Sequence, residues 1–285
     1  MATILHISDL HFGPPFIPEV AEAVQDQAAQ LSPDVIVVSG DLTQRARGEQ
    51  FQAAASYLSR FDRPVVVVPG NHDVPLFRMW ERVLAPHRLY SKYITPELNS
   101  VTELAGAMIV ALNSTRRFTL TNGRIKRWQL EFAAEAFAEA DPSALRVVVT
   151  HHHLAPPQDF ASGKVMQHAK RSVQSFTNMK VDLILAGHMH RSYIGNSLDF
   201  FPGQLDRRGI VIAQCGTTTS RRGRGRERLR NTFNLIRTED GMIRVAHYAW
   251  VSHLRRFMPT SDHFFPRGTR QYFDHAREIG ASELA

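Results

Sequence analysis

Five short polar motifs carry the residue types that a hydrolytic metal site needs. They are D-L-H with Asp9 and His11, G-D with Asp41, G-N-H-D with Asn71, His72 and Asp73, a run of three imidazoles from His151 to His153, and G-H-M-H with His188 and His190. Imidazoles and carboxylates together with one amide oxygen suit borderline cations such as Mn, Fe or Zn, whereas Mg and Ca favour all-oxygen shells. On extended backbone the middle residue of D-L-H or H-M-H points away, which leaves the flanking side chains on one side. A carboxylate shared by two such groups holds two ions about 3.5 to 4 Å apart, the spacing of two-metal hydrolytic centres. Gly40, Gly70 and Gly187 inside the motifs permit tight turns and close backbone approach. Any one motif is uninformative, since Asp-x-His arises by coincidence and Gly-Asp is a common turn. Five in order, each after a strand-like run, are not.

The runs that must position these residues are short, apolar and β-branched: Thr3 to Ser8, Val35 to Ser39, Val65 to Val68, Met108 to Leu112, Arg146 to Thr150, Asp182 to Ala186 and Ile210 to Ala213. Consecutive apolar positions closed by Gly, Pro, Asp or Asn predict strands buried on both faces. Helical patterns lie between several of them, at Pro18 to Leu31, Glu49 to Arg60, Trp128 to Ala140 and Val165 to Met179. Alternation of this kind predicts an α/β fold with a largely parallel sheet, and ligands then bind outside the carboxyl ends of the strands. The last strands, Thr232 to Ile236 and Met242 to Ala249, have no helix between them and read as antiparallel. Pro86 to Leu98, Thr115 to Arg127 and Arg191 to Arg208 lack periodicity and read as long loops.

The 285 residues carry 34 Lys and Arg against 27 Asp and Glu, a net charge of +7 that favours anionic partners without choosing among them. The single cysteine, Cys215, excludes an internal disulfide, reads as a buried inert thiol and fits a reducing compartment. The chain enters a strand-like segment directly, with neither a signal-like start nor an apolar run long enough for a membrane helix, so a cytoplasmic location is expected. His153 reads as a loop residue, and His6 as a strand residue facing a helix.

The ordered motifs resemble the calcineurin-like metallophosphoesterase superfamily from Ile4 to about His190, with Asn231 to Ala249 resembling its closing strands. The resemblance implies a two-sheet α/β sandwich flanked by helices, with residues 1–250 forming the metallophosphoesterase domain and 251–285 a C-terminal extension. It also implies two divalent or mixed-valence metal ions, Mn or Fe foremost and Zn besides. Asp9, His11 and His190 would hold the first, Asn71, His151 and His188 the second, and Asp41 would bridge them. His152 replaces His151 if the strand ends one residue later, since the family's His is soon followed by Pro and here Pro156 is delayed. His72 would be the general acid with Asp73 orienting it, and a metal-bridging hydroxide would attack phosphorus in line.

Within the superfamily the G-D-L-T, G-N-H-D-V-P, G-T-T-T-S and N-T-F-N-L-I passages resemble bacterial class III cyclic-nucleotide phosphodiesterases. A UDP-diacylglucosamine pyrophosphatase of lipid A synthesis and a DNA-repair nuclease are the alternatives, and a metal-free scaffold is disfavoured because every ligand position is filled. The basic tract Arg221 to Arg230 reads as a solvated loop, or more sharply as a contact for nucleic acid or an anionic membrane surface. Arg116 and Arg117 are candidates for a substrate phosphate. Phe257 to Tyr272, with Phe264, Phe265, Arg267 and Arg270, would cap the site or form a homodimer.

Overall fold

A strand that is apolar on consecutive positions must be covered on both faces, and two stacked sheets with helices outside achieve this. The computed structural model describes residues 1–119, 121–155, 165–201, 209–239 and 241–267. One six-stranded sheet contains β1 (Thr3–Ile7), β2 (Val35–Val38), β3 (Val65–Val67), β10 (Thr232–Glu239), β11 (Met242–Val251) and β12 (Arg256–Pro266), ordered β12-β11-β10-β1-β2-β3. The other contains β4 (Asn99–Leu104), β5 (Ala107–Leu112), β6 (Leu145–Val149), β7 (Leu183–Ala186), β8 (Tyr193–Asn196) and β9 (Val211–Gln214), ordered β4-β5-β6-β7-β9-β8. β1 to β3 run parallel, as do β5, β6, β7 and β9, while the closing strands β10 to β12 form an antiparallel meander. The expected two-sheet α/β sandwich is the observed architecture.

Three apolar layers hold it. Ile4, Val35, Val37, Ile109, Val147 and Leu183 meet between the sheets. Outside the first sheet Leu5, Ile7, Ile36 and Val38 pack on Val20 and Val24 of α1 (Pro18–Leu31) and on Phe51 and Ala54 of α2 (Gly48–Leu58). Outside the second, Val148, Ile184 and Ile212 pack on Leu130 and Phe137 of α5 (Arg127–Glu139) and Val173 and Phe176 of α6 (Ala169–Asn178). In α1, Pro18 opens the first turn, and Val20, Ala21, Val24 and Ala28 form one buried stripe. Ser32 closes the helix in the left-handed conformation, and Pro33 forbids continuation. Each buried Val contributes about 1.5 to 3 kcal/mol, so a charge at Val24 would detach α1 from the sheet.

Several expectations need correction. The segment 86–98 holds α4 (Arg88–Tyr93), which follows α3 (Met79–Leu84), and the segment 191–208 opens with β8. Helices of six residues are too short to show a period, and β8 contains a glycine at Gly195. The edge strand β4 was not read because its Asn-Ser-Val-Thr-Glu-Leu sequence is half exposed and mostly polar. A boundary at residue 250 falls inside β11, and β12 continues the same sheet. The remainder of the proposed cap, residues 268–285, lies outside the described residues. His6 shares its strand face with Ile4, so it looks toward the second sheet rather than a helix, and its Nε2 meets Ser39 Oγ at 2.9 Å. Cys215 is buried, and burial pushes its thiol well up, as an inert thiol requires.

Burial also sets an acid limit. It depresses His6 to about 3 and, with nearby cations adding to it, His87 and His247 to about 4. These rings stay neutral in the fold and charge readily once unfolded. Their contribution is complete above the unfolded value near 6.5 and is lost as pH falls toward 4. Asp73 and His151, both raised, act in the opposite sense but are outnumbered. The denaturation midpoint of the metal-free protein should fall steadily between pH 7 and 4.5; a constant or rising midpoint would contradict this account.

Candidate metal centre

Three of the five motifs leave their strands through left-handed turns. Asp9, His11, Asp41, His188 and His190 have φ of 54°, 53°, 53°, 74° and 54°, so five motif side chains stand on left-handed backbone. The extended geometry expected for D-L-H and H-M-H is therefore wrong, although the paired side chains do converge. Left-handed non-glycine residues cost roughly 1 to 2 kcal/mol each, and Asp, Asn and His bear this best. Hydrogen bonds between loops hold the turns: Asp9 N–H donates to Gly40 O at 3.0 Å, His11 N–H to Asp41 O at 2.9 Å and Gly187 N–H to His151 O at 3.0 Å. The hydroxyls of G-T-T-T-S brace the same loop, Thr217 donating to Asp9 O at 2.7 Å and Thr219 to Leu10 O at 3.0 Å. Sequence reasoning gave that passage no structural role.

Two ligand groups meet where the carboxyl ends of the two sheets abut. In the first, Asp9, His11, Asp41 and His190 are all buried and bring ligand atoms within 4.8 Å of one another. His190 Nε2 is 3.1 Å from Asp9 Oδ1 and from His11 Nε2, and His11 Nε2 is 3.6 Å from Asp41 Oδ2. In the second, Asn71 Oδ1 is 3.1 Å from His151 Nε2 and 2.8 Å from His188 Nδ1. Asp41 Oδ1 lies 3.4 Å from that same His151 Nε2. One carboxylate thus turns Oδ2 to one group and Oδ1 to the other. Asp9 Oδ1 and Asp41 Oδ2 are buried without accepting a hydrogen bond among the described residues, an arrangement that is costly unless a cation completes it. The donor set therefore fits two metal ions.

The surroundings fix the imidazoles. His151 Nδ1 is 2.8 Å from Ser39 O and His190 Nδ1 is 2.9 Å from Arg222 O. A carbonyl only accepts, so each ring carries a proton on Nδ1 and directs Nε2 to the centre, the nitrogen left free to ligate in the neutral ring. Burial would raise the Asp9 carboxyl, but His190, His11 and His151 outweigh it and hold it well below the usual range. Asp41 is likewise held at about 2 by His151, His72 and His11 against burial. Burial lowers His11 to about 4 and His188 to about 3, leaving both neutral and able to ligate.

His72 stands beside this cluster, its ring centroid 4.9 Å from that of His11. Its orienting partner is not Asp73 but the Gln44 carbonyl, 2.9 Å from Nδ1. Asp73 instead accepts the amides of Leu42, Thr43 and Gly70 and the Thr43 hydroxyl, at 2.8 to 3.1 Å, and so clamps the G-D loop to G-N-H-D. Burial and Asp41 push its carboxyl up to about 7 against those amides. Gly70 is required here because a Cβ would collide with the Asp41 carboxylate.

His151 faces Asn71, whereas His152 turns its Nδ1 to Ser114 Oγ at 2.8 Å. His153 lies in the loop after β6, as expected, but is buried there and stacks on His188. Arg116 donates to Gln167, and Arg117 to Val83 O at 3.0 Å. The basic tract is not uniformly solvated either. Arg221, Arg224, Arg226, Arg228 and Arg230 are exposed, but Glu227 is buried against Ser192, and the Arg222 carbonyl anchors His190.

Residues 2–192 match the sequence profile of the calcineurin-like phosphoesterase family. The chain is 28% identical over 180 residues to the 3′,5′-cyclic adenosine monophosphate phosphodiesterase CpdA of Haemophilus influenzae, covering 61% of this chain and 60% of that one. It is 26% identical over 189 residues to a probable cyclic nucleotide phosphodiesterase of Synechococcus, covering 64% of this chain and 68% of that one. The chain thus spans about 60% of the length of the first of these curated relatives. A dimetal phosphatase from Danio rerio superposes with a TM-score of 0.64 at 11% identity, over 94% of this chain and 99% of that one, which shows a shared fold.

Two outcomes are expected. Asp41→Asn should weaken binding of both metal ions, whereas Asn71→Ala should weaken mainly one; titration of the metal-free protein with Mn should show this, and the reverse pattern would overturn the bridging assignment. Asp73→Ala strands three buried amides and a hydroxyl, so it should lower stability by about 2 to 4 kcal/mol in urea melts. A loss below 0.5 kcal/mol would show that the clamp is unimportant.

Proposed function

Since the chain belongs to the calcineurin-like phosphoesterase family, we propose that it is a two-metal phosphodiesterase acting on cyclic nucleotides or closely similar diesters. The observation that carries the reading is Asp41, whose two carboxylate oxygens face two separate ligand groups. The names of the relatives support the substrate class. The complete set of ligand residues argues against a metal-free scaffold. Mn or Fe is the favoured metal, with Zn as a third choice, because four imidazoles and an amide join the carboxylates. When bound, two such cations neutralise the phosphate oxygens and supply an activated water. A cytoplasmic location completes the reading, and no helix among the described residues is long and apolar enough to cross a membrane.

The protein's own groups do the rest. Asp9, His11 and His190 with Asp41 would hold one cation, and Asn71, His151 and His188 with Asp41 the other. Gly40, Gly70 and Gly187 let the carrying loops approach, and Asp73 keeps two of them together. His72 moves the proton. Its Nδ1–H is committed to Gln44 O, so only the doubly protonated ring can donate from Nε2. Burial lowers His72, while Asp41 raises it, and an arriving phosphate anion would raise it further.

With Mn or Fe the protein should hydrolyse bis-p-nitrophenyl phosphate and a 3′,5′-cyclic nucleotide; inactivity of metal-loaded protein toward both would refute the assignment. His72→Ala should reduce turnover of the cyclic nucleotide by about 10² to 10⁴ and that of the nitrophenyl ester far less, since a nitrophenolate departs without a proton. Equal losses, or loss of a metal ion, would make His72 something other than the acid.

A further inference from the structure

Beside the centre lies a cavity of about 590 Å³ walled by Pro14, Pro15, Gln44, Arg45, Arg47, Gln50 and Arg222. It is assembled from the three loops that follow Asp9, Asp41 and the G-T-T-T-S passage. Bridges lock them in register: Phe12 pairs with Thr43 and Phe16 with Ser220. Gln44 N–H donates to Phe12 O at 3.0 Å, and Arg221 N–H to Pro15 O at 2.8 Å. The cavity is therefore a built feature of the same loops that carry the metal ligands.

Its charge is one-sided. Three guanidiniums line it and no carboxylate does. Arg47 has Glu49 at 3.8 Å, but among the described residues neither Arg45 nor Arg222 forms an ion pair. Arg222 is half-buried and spends one donor on Gln44 Oε1 at 2.9 Å. Burial lowers its pKa against the opposing pull of Asp41 and Asp9, and Arg224 and Arg45 add smaller contributions to the lowering. A guanidinium has five donors, and a partly desolvated one with four unused is set up to receive an anion, which a phosphate can meet in bidentate fashion. The pocket is also coupled to the chemistry, because Gln44 O accepts the His72 ring and Arg222 O accepts the His190 ring.

We propose that this pocket is an anion subsite for a second phosphate of the substrate, so that phosphodiesters bearing a further phosphate are bound in preference to those without one. The proposal rests on the phosphodiesterase reading and extends it to substrate choice: a cyclic mononucleotide engages the metal centre alone, while a diester with an additional phosphate engages both. Arg45 and Arg222 are specificity residues, and the ring faces of Pro14 and Pro15 provide an apolar wall beside them.

Calorimetry on the Mn-loaded protein with thymidine 3′,5′-bisphosphate and thymidine 5′-monophosphate tests this without turnover. The bisphosphate should bind about tenfold or more tighter. That ratio should shrink in Arg45→Gln and in Arg222→Gln and vanish when both are replaced, while Arg222→Lys keeps part of it. Arg127→Gln, an exposed position on α5 outside the pocket lining, controls for general attraction by the positive chain and should leave the ratio intact. Equal binding of the two nucleotides by the unaltered protein, or a ratio that survives the double replacement, would overturn the subsite. Should the Arg222 variants fail to fold in thermal melts, Arg45→Gln alone decides. The p-nitrophenyl esters of the same nucleotides separate the two claims: a protein that binds selectively but cleaves neither ester retains the subsite and loses the phosphodiesterase reading.

Discussion

A single carboxylate, that of Asp41, faces two groups of side chains gathered from both sheets, and much of the architecture follows from that arrangement. Asp41 leaves β2 of the first sheet, yet one of its oxygens looks at His151, which leaves β6 of the second. The sheets must therefore stack with their carboxyl ends level, and the apolar layer between them sets that alignment. The Ser39 carbonyl ties the His151 ring to the loop that carries Asp41, so the same contact that orients a ligand also joins the two sheets. The geometry of the site and the cohesion of the domain are in this sense one set of interactions.

Burial is the second governing factor. The centre is sealed enough that every carboxylate in it would rise and every imidazole would fall if alone. Mutual pairing reverses this for Asp9 and Asp41, which stay ionised, while burial keeps His11 and His188 neutral. The result is a site that holds negative charge and bare nitrogen lone pairs together, the condition in which a cation is bound most strongly.

Most of the architecture was legible because the signals were local. Buried strands wrote themselves as apolar runs, α1 was bounded by its proline and serine-proline, and each ligand motif sat just past a strand. What escaped was non-local or too short. Nothing in G-N-H-D reveals that the Asp73 carboxylate points back to the amides of Leu42 and Thr43 rather than to His72, because the partner is a backbone thirty residues away. The left-handed turns could have been suspected from the concentration of Asp and His beside glycine, but extended backbone is the default for x-to-x+2 pairs. Arg222 looked like one more member of a charge run, since a backbone carbonyl that holds a ligand ring has no sequence signature.

The left-handed ligand positions also restrict how such a site can change over generations. At Asp9, His11, Asp41, His188 and His190 the backbone accepts Gly, Asn, Asp or His readily and resists β-branched residues. The tolerated replacements are therefore largely other ligands, or residues that keep the loop while discarding the metal. Conversion of these turns into an ordinary apolar corner would need the loops themselves to be rebuilt.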